Sequence, residues 1–78
     1  LGDFATAEAN YEQSLAIREA MGDARGQGLC RMYLGDTAVA RQNSSEARAQ
    51  YRQSMAIFRQ IGDQTTVAKL EERLGKVD

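Results

Sequence analysis

The chain has 78 residues, with ten Lys plus Arg against eleven Asp plus Glu, no His, no Pro, one Cys and 42% hydrophobic residues, few of them aromatic. Ordering costs on the order of 1.5 kcal/mol per residue, so this is one small domain at most, and it needs very regular helix packing or neighbouring elements. Without His, the usual Ser and Cys triads and imidazole-containing zinc sites are excluded, and a lone Cys closes no internal disulfide. A net charge of −1 argues against nucleic acid or an anionic membrane as the main partner. No enzyme, cofactor or metal is expected, and the cytoplasm is the default location.

The first boundary is Gly2-Asp3. After it, Phe4, Ala7, Tyr11, Ser14 or Leu15, and Ala16 or Ile17 fall three or four residues apart, which predicts an amphipathic helix over 4–20. Gly22-Asp23 closes that helix and caps the next, predicted over 24–41, on which Cys30, Leu34 and Ala38 share a face. Cys30 therefore reads as a small buried hydrophobe. Gly26 and Gly28 each cost about 1 kcal/mol of helix propensity, which predicts a frayable first turn. The run Gly22–Gly28 lacks a preceding strand, a third Gly of GxGxxG spacing and a GK[ST] ending, so it reads as a turn rather than a phosphate loop.

Asn43 followed by Glu46 has the spacing of a reciprocal cap for a third helix over 45–60, and capping rather than glycosylation accounts for Asn43-Ser44-Ser45. Ala47, Tyr51, Ser54 or Met55, and Phe58 give that helix its apolar face. Gly62-Asp63 opens a fourth over 64–75, where Glu71 and Glu72 diverge around the helix and read as solvated surface. No stretch alternates with period two, so no strand is predicted.

Superimposed on the helical period is an offset of 40 residues, with eleven identities in 38 aligned pairs. Ala7, Tyr11, Ser14, Ile17, Gly22, Asp23, Leu34 and Gly35 return as Ala47, Tyr51, Ser54, Ile57, Gly62, Asp63, Leu74 and Gly75. The small residues mark close helix crossings and Tyr11 and Tyr51 supply bulk beside them, so both tyrosines read as core. Five of the six doubly charged pairs at this offset reverse sign: Glu8/Arg48, Glu12/Arg52, Glu19/Arg59, Arg31/Glu71 and Asp36/Lys76. If equivalent positions of stacked repeats face each other, these charges set the stacking register. Glu8, Glu12 and Glu19 form an acidic stripe on the first helix, and Arg41, Arg48, Arg52 and Arg59 a basic one on the third.

The strings Gly2-Asp3-Phe4-x-x-Ala7-x-x-x-Tyr11-x-x-Ser14-Leu15-x-Ile17 and Gly22-Asp23-x-x-Gly26-x-Gly28, followed by Leu34-Gly35, resemble the tetratricopeptide repeat over essentially the whole chain. The 40-residue spacing resembles the long-period subclass found in kinesin light chain, polarity adapters and bacterial regulators. The resemblance implies an all-α solenoid of antiparallel helix pairs, four helices in register B-A-B-A. Residues 1–78 are then one segment, expected to be an excerpt of a longer array since the chain opens with Leu1. The resemblance also implies a concave groove, lined by Leu29, Met32, Tyr33, Asp36 and Ala40 of the second helix and Lys69, Glu72, Arg73 and Lys76 of the fourth, that binds a peptide or a partner helix. The chain departs from the family pattern at Met32-Tyr33 and Glu72-Arg73, where long-period relatives often carry Asn before Leu-Gly. The expected function is a non-catalytic protein-interaction module. The alternatives are a sensor segment of a bacterial signalling or transcription regulator, or a self-association element joined through open solenoid ends.

Overall fold

The computed structural model describes residues 3–77. Four helices follow in order, α1 (Phe4–Met21), α2 (Ala24–Ala40), α3 (Ser44–Gln60) and α4 (Gln64–Gly75), with no strand among the described residues. Each helix begins on a side chain that accepts the orphan N–H of its first turn: Asp3 from Thr6 at 3.0 Å, Asp23 from Gly26 at 2.9 Å, Asn43 from Glu46 at 3.3 Å and Asp63 from Thr66 at 3.0 Å. The reciprocal half of the Asn43 cap is not formed. The Asn43 N–H is taken by the Ala38 carbonyl at 2.8 Å, and the Glu46 carboxylate accepts from the Gln50 amide instead, at 3.2 Å.

That Asn43 bond belongs to a turn used three times. Gly22, Gln42 and Gly62 adopt left-handed backbone at φ 69°, 62° and 80°. The N–H of the next residue then reaches the carbonyl five positions back, Asp23 to Arg18, Asn43 to Ala38 and Asp63 to Phe58, at 2.8–2.9 Å. Glycine occupies two of these positions because a Cβ is penalised there, and Gln42 is the exception. Turns this short reverse the chain, so each helix packs antiparallel against its sequence neighbours, α1 on α2, α2 on α3 and α3 on α4.

The main core comprises Met32, Ala38, Ala47, Tyr51, Met55, Phe58, Val67 and Leu70, with Leu29, Leu74 and Val77 packed against it. A smaller cluster of Leu15, Cys30 and Leu34, with Tyr11 against it, joins α1 to α2. The α2–α3 crossing is close because α2 carries glycine where α3 carries a ring. A Cβ on Gly28 would stand 2.6 Å from the Phe58 ring, and one on Gly35 2.5 Å from the Tyr51 ring. Between them the fully buried Ser54 hydroxyl donates to the Gly28 carbonyl at 2.7 Å. Gly28 thus weakens its own helix locally and is required by the packing. Cys30 is buried, as its spacing predicts, and its thiol donates to the Ser14 hydroxyl at 3.5 Å.

Candidate interaction groove

The structure divides the nine predicted groove residues into three kinds. Met32 is only 9% exposed and belongs to the main core, which corrects its placement as a groove-lining side chain. It shares that core with Ala47, Tyr51, Met55 and Phe58 of α3 and Val67 and Leu70 of α4. Leu29 is half-buried against the same cluster. Tyr33, Ala40, Lys69, Glu72 and Lys76 are exposed, and Asp36 and Arg73 lie half-buried between the helices.

Asp36 and Arg73 are brought together, with a guanidinium nitrogen 3.5 Å from the carboxylate. Asp36 also accepts the Tyr51 hydroxyl of α3 at 2.5 Å, so one carboxylate ties α2, α3 and α4. Burial of the Tyr51 hydroxyl, reinforced by this bond, pushes its pKa well above the usual phenol value. Tyr33 turns the other way along α2 and stacks on Tyr11 of α1, ring centroids 5.4 Å apart and planes 26° apart. Lys76 follows α4 rather than lying in it and pairs with Glu72 at 3.5 Å.

Two clefts emerge that the sequence pattern does not single out. Val39, Tyr51, Arg73, Lys76 and Val77 enclose about 160 Å³ where the ends of α2 and α4 meet. Val39 is 46% exposed there, a large apolar residue presented on the α2–α4 side. On the opposite side, α1, α2 and α3 enclose about 350 Å³ rimmed by Glu8, Glu12, Arg31, Glu46 and Gln50 over Leu15 and Leu34. The i, i+4 pair Glu8 and Glu12 is the only sequence signal for that second cleft.

The ion pairs join helices that are adjacent in sequence and also helices that are equivalent in the repeat. Glu8 pairs with Arg41 at 2.6 Å, Glu19 with Arg31 at 3.9 Å, Asp36 with Arg73 at 3.5 Å and Glu71 with Arg59 at 3.8 Å. Glu8, Glu19 and Glu71 meet a residue of the helix adjacent in sequence or of its cap, whereas Asp36 of α2 reaches across to Arg73 of the equivalent helix α4. Arg41 caps the end of α2, so it does not extend the basic stripe of α3. Arg25 reaches 38 residues along the chain to the Asp63 cap at 2.8 Å, while its guanidinium lies 5.6 Å from the centre of the Phe58 ring. Arg25 first, then the Thr66 hydroxyl and N–H, lower the Asp63 pKa from 3.8 to about 2.

Antiparallel helix pairs, a small-against-aromatic crossing at Gly35 and Tyr51, and turns recurring every 20 residues define a helical repeat. A family model of the tetratricopeptide repeat matches residues 1–60, which takes in α1, α2 and α3. The chain belongs to the tetratricopeptide repeat family. No curated protein and no solved structure matches it. In tetratricopeptide terms α2 and α3 are one complete A–B pair, α1 is a B helix and α4 an A helix. Repeats of this family serve in general as protein-interaction modules, so the groove beside the two A helices is the candidate surface. Among the described residues, no helix is long and apolar enough to cross a membrane and no cluster of His, Cys, Asp or Glu is arranged to hold a metal ion.

Proposed function

We propose that the chain is a non-catalytic, cytoplasmic protein-interaction segment of the long-period tetratricopeptide type, taking a peptide or an amphipathic helix of a protein partner along the A-helix groove. One observation carries this reading. Leu29, Tyr33, Asp36 and Ala40 recur at spacings of three and four on the side of α2 away from Gly28 and Gly35, the glycines that meet α3. That side keeps Tyr33 and Ala40 exposed, and α4 adds Lys69, Glu72, Arg73 and Lys76 next to it. An apolar and aromatic strip bordered by charges of both signs suits a ligand that pairs apolar anchors with mixed charge.

The reading is tested by selecting binders from a random peptide library on the immobilised chain and mapping the best by amide chemical-shift changes. Shifts should fall on Leu29, Tyr33, Asp36, Ala40, Lys69 and Arg73. Ala40→Glu should weaken binding at least about tenfold, because it places an unpaired charge against an apolar contact. Shifts confined to Glu8, Glu12, Glu46 and Gln50, or full affinity in Ala40→Glu, would move the site to the opposite cleft.

A further inference from the structure

The cleft of about 350 Å³ between α1, α2 and α3 lies on the side of the fold away from the α2–α4 groove. Its walls are three packed helices, and its floor is Leu15 and Leu34, 8% and 5% exposed. A space at the small end of the range of ligand pockets suits a molecule of amino-acid size better than a folded segment of a partner.

What distinguishes the cleft is that it holds charges of both signs that leave each other unpaired. Glu8 and Glu12 of α1 and Glu46 of α3 reach it from two sides, and α2 contributes Arg31. Arg31 pairs with none of these three carboxylates. Its ion pair is with Glu19 at 3.9 Å, and its guanidinium donates to the Gln50 side-chain oxygen at 3.3 Å. A guanidinium has five N–H donors, so Arg31 keeps donors to spare on a side chain that is three-quarters buried. The Gln50 amide nitrogen donates to Glu46 at 3.2 Å, so a single amide bridges the cation to an anion and holds them apart. Glu8 is taken by Arg41 at 2.6 Å, whereas Glu12 forms no ion pair among the described residues.

These charges select a ligand by elimination. A purely cationic molecule would meet Arg31, and a purely anionic one would meet Glu12 and Glu46, each at a cost in repulsion. A molecule that carries both charges satisfies all three side chains at once through charge-assisted hydrogen bonds. An α-amino acid holds its ammonium and its carboxylate on one carbon, so it can bridge a cation and an anion as the Gln50 amide does.

We infer that the cleft is a binding site for a free α-amino acid with an apolar side chain. The ligand carboxylate lies against Arg31, its ammonium against Glu12 and Glu46, and its side chain on Leu15 and Leu34. The bound molecule ties α1 to α3, which otherwise pack chiefly through α2, so it stabilises the end of the chain held by the smaller core cluster.

L-leucine is the probe. Titrated into the isotope-labelled chain, it should move the amide signals of Glu12, Leu15, Arg31, Leu34 and Gln50 and raise the melting temperature. Leucinamide, which lacks the carboxylate, and isocaproate, which lacks the ammonium, should each bind at least about tenfold more weakly. Glu12→Gln should weaken leucine binding by about tenfold or more, while leaving the melting temperature without leucine unchanged because no ion pair is lost. No response to leucine at any soluble concentration, equal binding of either analogue, or full affinity in Glu12→Gln overturns the proposal. Signals that move only around Tyr33 and Ala40 overturn it too, since leucine would then occupy the α2–α4 groove.

Discussion

α1 and α3 are near-copies in sequence and unlike in surroundings. Both carry Ala, Tyr and Ser at the same three places, yet only α3 buries all three, because helices cover two of its sides. Where α3 has Phe58, fully buried, α1 has Arg18, exposed and paired with Asp23 at 3.2 Å. Tyr51 is locked by Asp36 and lies near Arg73, while Tyr11 stacks on Tyr33, the residue equivalent to Arg73. In a repeat protein a residue's type sets what it can pack against, and the number of neighbouring helices sets what it does pack against. The stability of the chain is therefore concentrated at the α2–α3–α4 end, and matched substitutions at equivalent positions should expose the imbalance.

The largest contrast is expected at Phe58 and Arg18. Phe58→Ala empties the centre of the main core and should cost about 3–5 kcal/mol, while Arg18→Ala removes a surface ion pair and some stem packing for about 1 kcal/mol or less. Urea denaturation of both variants measures the difference, and similar losses would mean that the two ends contribute alike. A smaller contrast should appear at the glycines. Gly35→Ala forces the Tyr51 ring to move and should destabilise by about 1–3 kcal/mol, whereas Gly75→Ala meets nothing and should stabilise by up to about 1 kcal/mol through helix propensity. Opposite signs in thermal melts at low concentration sharpen the comparison, and equal signs break it.

The smallest effect concerns the equivalent caps Asp23 and Asp63, of which Asp63 is held by Arg25 from the first turn of α2. Its carboxyl titrates near 3.8 when unfolded and about 2 when folded. A lowered folded value means that the contribution is present above the unfolded pKa and is lost as pH falls through the folded one. Asp63→Asn keeps a capping acceptor and removes the titration. The stability advantage of the unmodified chain over Asp63→Asn should be constant above about pH 5 and fade between about pH 4 and pH 2. An advantage that persists unchanged to pH 2 would show that the charge on Asp63 plays no part.

Much of this architecture was legible in the chain. The caps Asp3, Asp23, Asn43 and Asp63, the turns at Gly22 and Gly62 and the burial of Cys30, Leu34, Tyr51 and Phe58 all follow from residue type and spacing, because capping and helical periodicity are local. The turn at Gln42 was less visible, since its side chain gives no sign of positive φ. Of the residues expected to line a groove, Ala40, Lys69, Glu72 and Lys76 are exposed and Asp36 and Arg73 half-buried, but Tyr33 stacks on Tyr11 of α1 and Met32 lies in the core. One helical turn cannot say whether a side chain at the edge of a face meets solvent or the next helix.

By itself the sequence determined the number of helices, their ends, their antiparallel order and the 40-residue period, since these depend on contacts within a few residues or on direct repetition. Only the tertiary structure decided which of two identical ladders is buried, that Gly28 and Gly35 are the places where Phe58 and Tyr51 enter, and which charges meet across helices, Asp36 of α2 with Arg73 of α4 among them. These outcomes depend on distances between segments 20 or more residues apart, and side-chain packing falls off within a few ångströms, so no local pattern can carry them.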